Sequence, residues 1–102
     1  MNNISHKTST ITVEGLGEVH CRELSAGGVS ALQPYEDAPI KATAMAVIGG
    51  LVDENGKTVF TKKDLDSVMD KMTMTSLNTI AEEVLTLTGL IADEAGEESP
   101  NA

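Results

Sequence analysis

The spacing of apolar residues changes from a period of two near the N-terminus to helical spacing further along the chain. Ile11 and Val13 alternate with threonines, and after two glycines Val19 and Cys21 follow a similar alternation. Such alternation is typical of strands that bury one face. We therefore predict a hairpin of two short strands joined across residues 14–17.

A first pair of helices is predicted between residues 25 and 52. Ser25 can accept a hydrogen bond from an unpaired backbone N–H and so cap a short helix that ends before Pro34. Pro39 suits a first helical turn, where its missing N–H costs nothing, and the apolar segment that follows runs to Val52. The Gly49–Gly50 pair in this segment either weakens the helix or permits the close approach of another backbone.

Two further helices are predicted after residue 60. Thr61 is followed three residues later by Asp64, an arrangement similar to a capping box. Thr73 or Thr75 can cap the last helix, and Gly89 is suited to end it. Apolar residues recur every three or four positions in both segments, as expected of helices that bury one face. They are Leu65, Val68, Met69 and Met72 in the first, and Leu77, Ile80, Ala81, Val84 and Leu87 in the second.

These elements predict a mainly α (α+β) fold, with a small N-terminal β-hairpin followed by three to four short helices. A chain of 102 residues is suited to one domain, and the periodic segments place that domain at residues 10–91. Residues 1–9 are polar and are expected to form a flexible N-terminus. Residues 92–102 are acidic, lack apolar periodicity and are expected to form a disordered tail.

The core must consist of aliphatic side chains and methionines, because Tyr35 and Phe60 are the only aromatic residues. Such side chains bury less area each than aromatic rings do, and a domain of this size has a modest core. We therefore expect the protein to self-associate. The predicted helix that begins at Pro39 is apolar on most sides. The candidates for a self-association surface there are Met45, Ile48 and Val52.

The chain is strongly acidic, with seven Lys and Arg against sixteen Asp and Glu and a formal net charge of −9. Binding to nucleic acid or to an anionic membrane depends on basic residues, so neither is expected as a partner. A basic or neutral protein partner is compatible with the charge, as is a simple role in solubility. The longest apolar stretch, residues 42–52, is too short to span a membrane. The single cysteine, Cys21, fits the reducing environment of a cytoplasm.

No combination of residues indicates a catalytic, cofactor or metal site, and we predict that the protein is not an enzyme. Residues 53–56, Asp-Glu-Asn-Gly, are superficially similar to a calcium loop. Their glycine is at the fourth position instead of the sixth, so a turn is the better interpretation. His20 and Cys21 would point to opposite faces of a strand, with Cys21 buried and His20 exposed. Glu82 and Glu83 diverge by about 100° on a helix, and a solvated helix face is expected for them.

Three methionines form the candidate partner-binding site. Met69 and Met72 belong to the stripe of the helix that begins near Thr61, and Met74 is expected in the connection to the next helix. Methionine side chains are flexible and recur at surfaces that accept varied partners. At helical spacing they also commonly fill the core, so both interpretations remain open.

A resemblance to a known family is visible at residues 51–90. An acidic turn at Val52–Gly56 precedes Phe60–Thr61, a helix begins at Asp64–Leu65, and the last helix ends at Gly89–Leu90. In this order the segments resemble the C-terminal half of the tail assembly chaperones of long-tailed bacteriophages (the short, G-type protein).

The N-terminal half adds to this resemblance. Residues 13–32 are similar to the short strand pair, the Leu-Ser step and the helix of the same family, so the similarity spans residues 10–91. Two glycine pairs, 27–28 and 49–50, depart from the family pattern, in which helix-forming residues would be expected.

The resemblance implies a function and partners. A protein of this family binds and solubilises the long, hydrophobic, helical tape measure protein in the host cell cytoplasm. It helps tail tube subunits to assemble around that protein, and the tail tube protein is recruited through a longer form made by ribosomal frameshifting. For this chain we accordingly expect the tape measure protein and the tail tube protein as partners, with no cofactor.

The alternative is a small acidic regulatory protein, such as an antirepressor or DNA mimic that occupies the DNA-binding site of a basic protein. A DNA mimic would array its carboxylates on a folded surface. Four of the sixteen acidic residues instead lie in the predicted disordered tail, which argues against this function. They are Asp93, Glu94, Glu97 and Glu98.

Overall fold

The computed structural model describes residues 6–91, and its elements confirm the predicted α+β fold class. The expectations for residues 1–5 and for the acidic tail at 92–102 therefore lie outside the described residues. The strands are β1 (Thr8–Val13), β2 (Gly17–Arg22) and β3 (Leu51–Val52). The helices are α1 (Ala26–Ser30), α2 (Pro39–Gly50), α3 (Leu65–Lys71) and α4 (Met74–Thr88), with short 3-10 turns at Gln33–Tyr35 and Lys62–Asp64.

The predicted hairpin forms one part of a three-stranded antiparallel sheet in the order β1–β2–β3. Ile11 lies opposite Val19, and Ser9 lies opposite Cys21, so these residues share the face that carries the core. The turn between the strands uses Gly15 and Gly17, both with positive φ, which glycine adopts without steric cost. β1 begins at Thr8, two residues before the domain boundary that the apolar pattern suggested.

Leu51 and Val52 are the main difference from the predicted elements, because they form β3 and not the last residues of a helix. α2 ends at Gly50, where an added Cβ would lie 2.5 Å from Val84 and 2.8 Å from the Arg22 carbonyl oxygen. Of the two roles considered for the glycine pair, weakening the helix or permitting close approach of another backbone, the structure shows the close approach. The backbone becomes extended at Leu51, which lets Leu51 pair with Cys21 in β2.

The helix ends follow the capping residues in the sequence. The Ser25 hydroxyl accepts a hydrogen bond from the Gly28 N–H at 3.1 Å, and the Thr61 N–H donates to an Asp64 carboxylate oxygen at 2.8 Å. Thr61 caps the 3-10 turn Lys62–Asp64, which leads into α3, and the α-helix itself begins only at Leu65. Gly89 ends α4 with a φ of 90°. A 3-10 turn at Gln33–Tyr35 follows α1, and Pro34 is compatible with the first positions of such a turn.

α2 is the central helix. It packs against α4 and α3 and also contacts α1, and its residues 44–48 are all buried. α4 lies against the inner face of β1 and β2. The core between these layers is aliphatic, as the composition predicts. Its largest fully buried side chains are Leu77, Ile80, Val47, Val68, Val84 and Cys21.

Candidate functional site

The three candidate methionines lie at the junction between α3 and α4. α3 ends at Lys71, Met72 adopts an extended conformation, and Thr73 caps α4. Met74 is the first residue of α4, although the sequence pattern placed it in the connection. Thr73 was one of two candidate caps, and its choice puts Met74 inside the helix.

The burial of these side chains differs. Met69 and Met72 are half-buried and pack against the core, whereas 43% of the Met74 surface is exposed. The two open interpretations therefore apply to different residues: Met69 and Met72 contribute to the core, and Met74 is accessible to a partner. Burial alone does not identify a binding surface, because exposed apolar residues are common on monomeric proteins.

Hydrogen bonds at the start of α4 hold Met74 in place. The Thr73 hydroxyl accepts from the Ser76 N–H at 3.1 Å and lies 3.1 Å from the Ser76 hydroxyl. The Leu77 N–H donates to the Thr73 carbonyl at 2.9 Å. The backbone under Met74 is thus fixed, while its side chain retains the flexibility of a thioether.

The candidates for self-association lie inside the fold. Met45, Ile48 and Val52 are only 6%, 5% and 4% exposed. Met45 and Ile48 belong to the central helix, whose apolar sides are covered by other parts of the same chain. The three side chains are therefore unavailable as a surface in this fold.

The only thiol is a core group. The Cys21 side chain is fully buried, and burial raises its pKa to about 11, with a smaller contribution from the charge of Glu83. The adjacent His20 points to the outer face of the sheet, where its Nδ1 lies 3.0 Å from the Thr10 hydroxyl. His20 is half-buried and not fully exposed as expected. The thiol and imidazole thus lie on opposite faces, and a thiol with a raised pKa is a poor nucleophile.

Glu83 was expected on a solvated helix face but faces the sheet. The Ser9 hydroxyl donates to its Oε2 at 2.6 Å, and this contact joins β1 to α4. The position of Glu83 between the buried Ile80 and the half-buried Leu87, three and four residues away, could have indicated it. This hydrogen bond is a structural link between the sheet and the helix.

In the acidic turn at residues 53–56, the Asp53 carboxylate accepts hydrogen bonds from nearby backbone N–H groups. Asp53 Oδ1 accepts hydrogen bonds from the Asn55 N–H at 2.8 Å and the Lys57 N–H at 3.0 Å. These hydrogen bonds hold the pKa of the Asp53 carboxyl below its usual range, and the bond from the Lys57 N–H has the largest effect. Across residues 6–91 no group of three potential ligands is placed to bind a metal ion. In that same span no helix is long and apolar enough to cross a membrane.

An open groove of about 370 Å³ lies beside β2 and β3, on the side of the sheet that carries His20. Its wall contains three carboxylates together with apolar side chains, and the negative charge makes the groove unsuited to an anionic ligand. Its residues include Glu18, His20, Val52, Asp53, Glu54 and Val59.

The architecture defines a class of small α+β domain, in which an N-terminal hairpin and a short third strand pack against a helical layer. The same fold is found in the solved structure of the bacteriophage HK97 tail assembly chaperone, with a TM-score of 0.70. The two chains are 18% identical, and the match covers 91% of this chain and 88% of that one. No protein-family model and no curated protein matches the sequence. The expected resemblance to tail assembly chaperones is therefore confirmed at the level of the fold.

Proposed function

We propose that the protein is a tail assembly chaperone of a long-tailed bacteriophage. In this function it binds and solubilises the tape measure protein in the host cytoplasm and helps tail tube subunits to assemble around it, without catalysis or a cofactor. The observation that carries the proposal is the fold shared with the HK97 chaperone. The match covers 91% of this chain and 88% of the HK97 chain. A longer frameshifted form would supply the contact with the tail tube protein.

The client-binding surface that we propose centres on Met74. Its exposed thioether lies at the junction of α3 and α4, and the half-buried Met69 and Met72 belong to the chain that leads into this junction. A helical, hydrophobic client needs an apolar surface that adapts to varied side chains, and methionine provides one. The strong negative charge of the chain keeps such a complex soluble.

The test is co-expression of the full chain with the tape measure protein, with the soluble fraction of the latter as the readout. We expect Met74→Ser to lower that fraction because it replaces an exposed apolar contact with a hydroxyl. The variant itself should stay folded, with an unchanged Tm, since the side chain is largely outside the core. Met74→Leu keeps the apolar surface and should retain activity.

Two further variants separate binding from folding. Leu16→Ser removes a similarly exposed apolar side chain in the hairpin turn and should leave solubilisation unchanged. Met72→Ser removes a core contact and should lower the Tm, because burying a hydroxyl without a partner is unfavourable. Full solubilisation by a folded Met74→Ser variant would remove this surface from the proposal.

The proposed chaperone function can be tested with the wild-type chain alone, independently of the Met74 surface. If the wild-type chain neither copurifies with the tape measure protein nor raises its solubility, the function is wrong, whatever the variants do. Salt separates the forces involved. Binding through apolar surface should persist at high NaCl, whereas binding through exposed carboxylates should weaken as charges are screened over about 8–10 Å.

A further inference from the structure

The sheet has one open edge, formed by β1. The strand order is β1–β2–β3, so β1 has a neighbour on one side only. The Glu23 N–H donates to the Lys7 carbonyl at 2.9 Å. In this register the backbone groups of the odd-numbered residues of β1 form the hydrogen bonds with β2. In an antiparallel pair the alternate residues direct their N–H and C=O groups away from the partner. The backbone groups of Thr8, Thr10 and Thr12 therefore lie on the free edge.

The opposite edge of the sheet is closed by the chain itself. β3 has two residues, and Val52 forms a bridge with Thr58 beyond it. The Asp53 N–H donates to the Lys57 carbonyl at 2.8 Å, and the Val59 N–H donates to the Leu51 carbonyl at 3.1 Å. Within residues 6–91 no strand or bridge occupies the β1 edge in the same way.

β1 also lacks the features that normally prevent edge pairing. Proteins protect free edges with charged residues, proline, bulges or very short strands. The sequence of β1 is Thr-Ser-Thr-Ile-Thr-Val, with no charge and no proline, and its pairing with β2 is continuous over the whole strand. Most of its residues are β-branched, which favours extended structure. An exposed edge of this kind is predicted to pair with another strand.

We propose that two copies of the chain associate through β1, which pairs with itself in antiparallel orientation. A two-fold axis perpendicular to the sheet keeps the helix-covered faces of both copies on one side, and then only residues of the same parity can lie opposite each other. With the axis at Thr10, Thr8 lies opposite Thr12 of the second copy. All free-edge groups of the strand are then used, in about six backbone hydrogen bonds.

Charge also favours this partner and this orientation. Each copy carries a formal charge of −9, which opposes contact through most surfaces, but β1 itself is uncharged. His6 and Lys7 precede the strand and Glu14 follows it, and all three are exposed. In this register His6 of one copy lies opposite Glu14 of the other on the same face of the sheet, and Lys7 is next to His6 in the chain. Threonines opposite one another on the outer face form a favourable cross-strand pair.

The experiment is sedimentation velocity of the full chain over a dilution series, with and without a charge on the edge. Thr10→Lys places two ammonium groups opposite each other at the axis and should raise the dimer Kd by at least about tenfold, equivalent to about 1.4 kcal/mol. Thr58→Lys is the matched control: the same substitution on an exposed residue at the closed edge should leave the Kd unchanged. Circular dichroism checks that both variants are folded.

Hydrogen exchange followed by NMR provides a second measurement that needs no variant. The amides of Thr8, Thr10 and Thr12 should gain protection as the protein concentration rises, while those of Ser9 and Ile11 are protected at every concentration. A wild-type chain that stays monomeric throughout, or a dimer that is equally stable with Thr10→Lys, would overturn the proposal. So would pairing of this edge only with a strand of another protein.

Discussion

Gly50 shows how a single methyl group could disturb two elements at once. An ideal Cβ at this position would lie 2.5 Å from both Val84 methyl carbons and 2.8 Å from the Arg22 carbonyl oxygen. A side-chain methyl can move by rotation, but the carbonyl belongs to β2 and is held in the sheet. The requirement for glycine thus comes from the contact of α2 with a strand, since Gly50 itself has no positive φ.

We predict that Gly50→Ala destabilises the protein by about 1–3 kcal/mol, the usual cost of overpacking a close contact. Gly27→Ala is the matched control, because Gly27 is also helical and its nearest contact would be the Ser25 hydroxyl at an ordinary 3.8 Å. That substitution should be neutral or stabilise by up to about 1 kcal/mol. Urea unfolding measures both changes, and equal values would show that the close approach imposes no constraint.

At the scale of the elements, the end of α4 is joined to the segment that follows β2. The Leu24 N–H donates to the Thr88 hydroxyl at 2.9 Å, and that hydroxyl donates to the Val84 carbonyl at 2.6 Å. Leu24 is buried and this hydrogen bond is partly shielded from solvent, so its N–H has limited access to water. One threonine therefore provides the acceptor for a backbone donor more than sixty residues away.

We predict that Thr88→Val destabilises the fold by about 1–3 kcal/mol, because it leaves the buried Leu24 N–H without an acceptor. For a domain of this size the loss corresponds to a fall in Tm of at least about 4 °C. Thr79→Val is the control, since the Thr79 hydroxyl bonds only to the Thr75 carbonyl within α4, and it should change the Tm little. If the two variants have the same Tm, the Leu24 contact contributes no net stability.

At the scale of the whole molecule, the dominant feature is its excess of negative charge. The sequence has sixteen acidic residues against seven basic ones, and twelve of the acidic residues and all seven basic ones lie within residues 6–91. The radius of gyration is 13.4 Å. At about 0.01 M salt the screening length is about 30 Å, so charges across the molecule repel one another. This repulsion favours solubility and opposes the compact state.

We predict that the Tm rises as NaCl is increased from about 0.01 M to about 0.15 M, where screening shortens to about 8 Å. The double variant Glu54→Gln and Glu82→Gln lowers the excess of nine negative charges by two, and both substituted residues are exposed. Its Tm at low salt should be higher than that of the wild type, and its rise with NaCl should be smaller. A Tm that is independent of NaCl in both proteins would contradict this account.

The candidate site could be predicted from the sequence only in part. Helical spacing correctly placed Met69 and Met72 on a stripe, yet it could not show that their side chains pack against the core while Met74 is exposed. Burial depends on which other elements cover a helix. The same limit applies to Met45 and Ile48: an apolar helix is equally compatible with an interface and with a central position, and only the packing of α2 distinguishes the two.

The sequence by itself determined the elements that depend on neighbouring residues. Alternation around Ile11 predicted the hairpin, and the caps at Ser25, Thr61 and Gly89 predicted helix ends, because capping bonds and turn conformations are formed within a few residues. Composition likewise predicted an aliphatic core. The order of segments from residue 51 to residue 90 indicated the fold of the tail assembly chaperones, which the HK97 structure confirms.

The tertiary structure alone decided what depends on distant residues. Leu51 and Val52 became a strand because β2 supplies the partner to which they bond, and Glu83 turned to the sheet because Ser9 lies opposite it. The free edge of β1 likewise follows from the strand order. These contacts form between segments far apart in the chain, so a local pattern can indicate a buried face but cannot specify the partner that covers it.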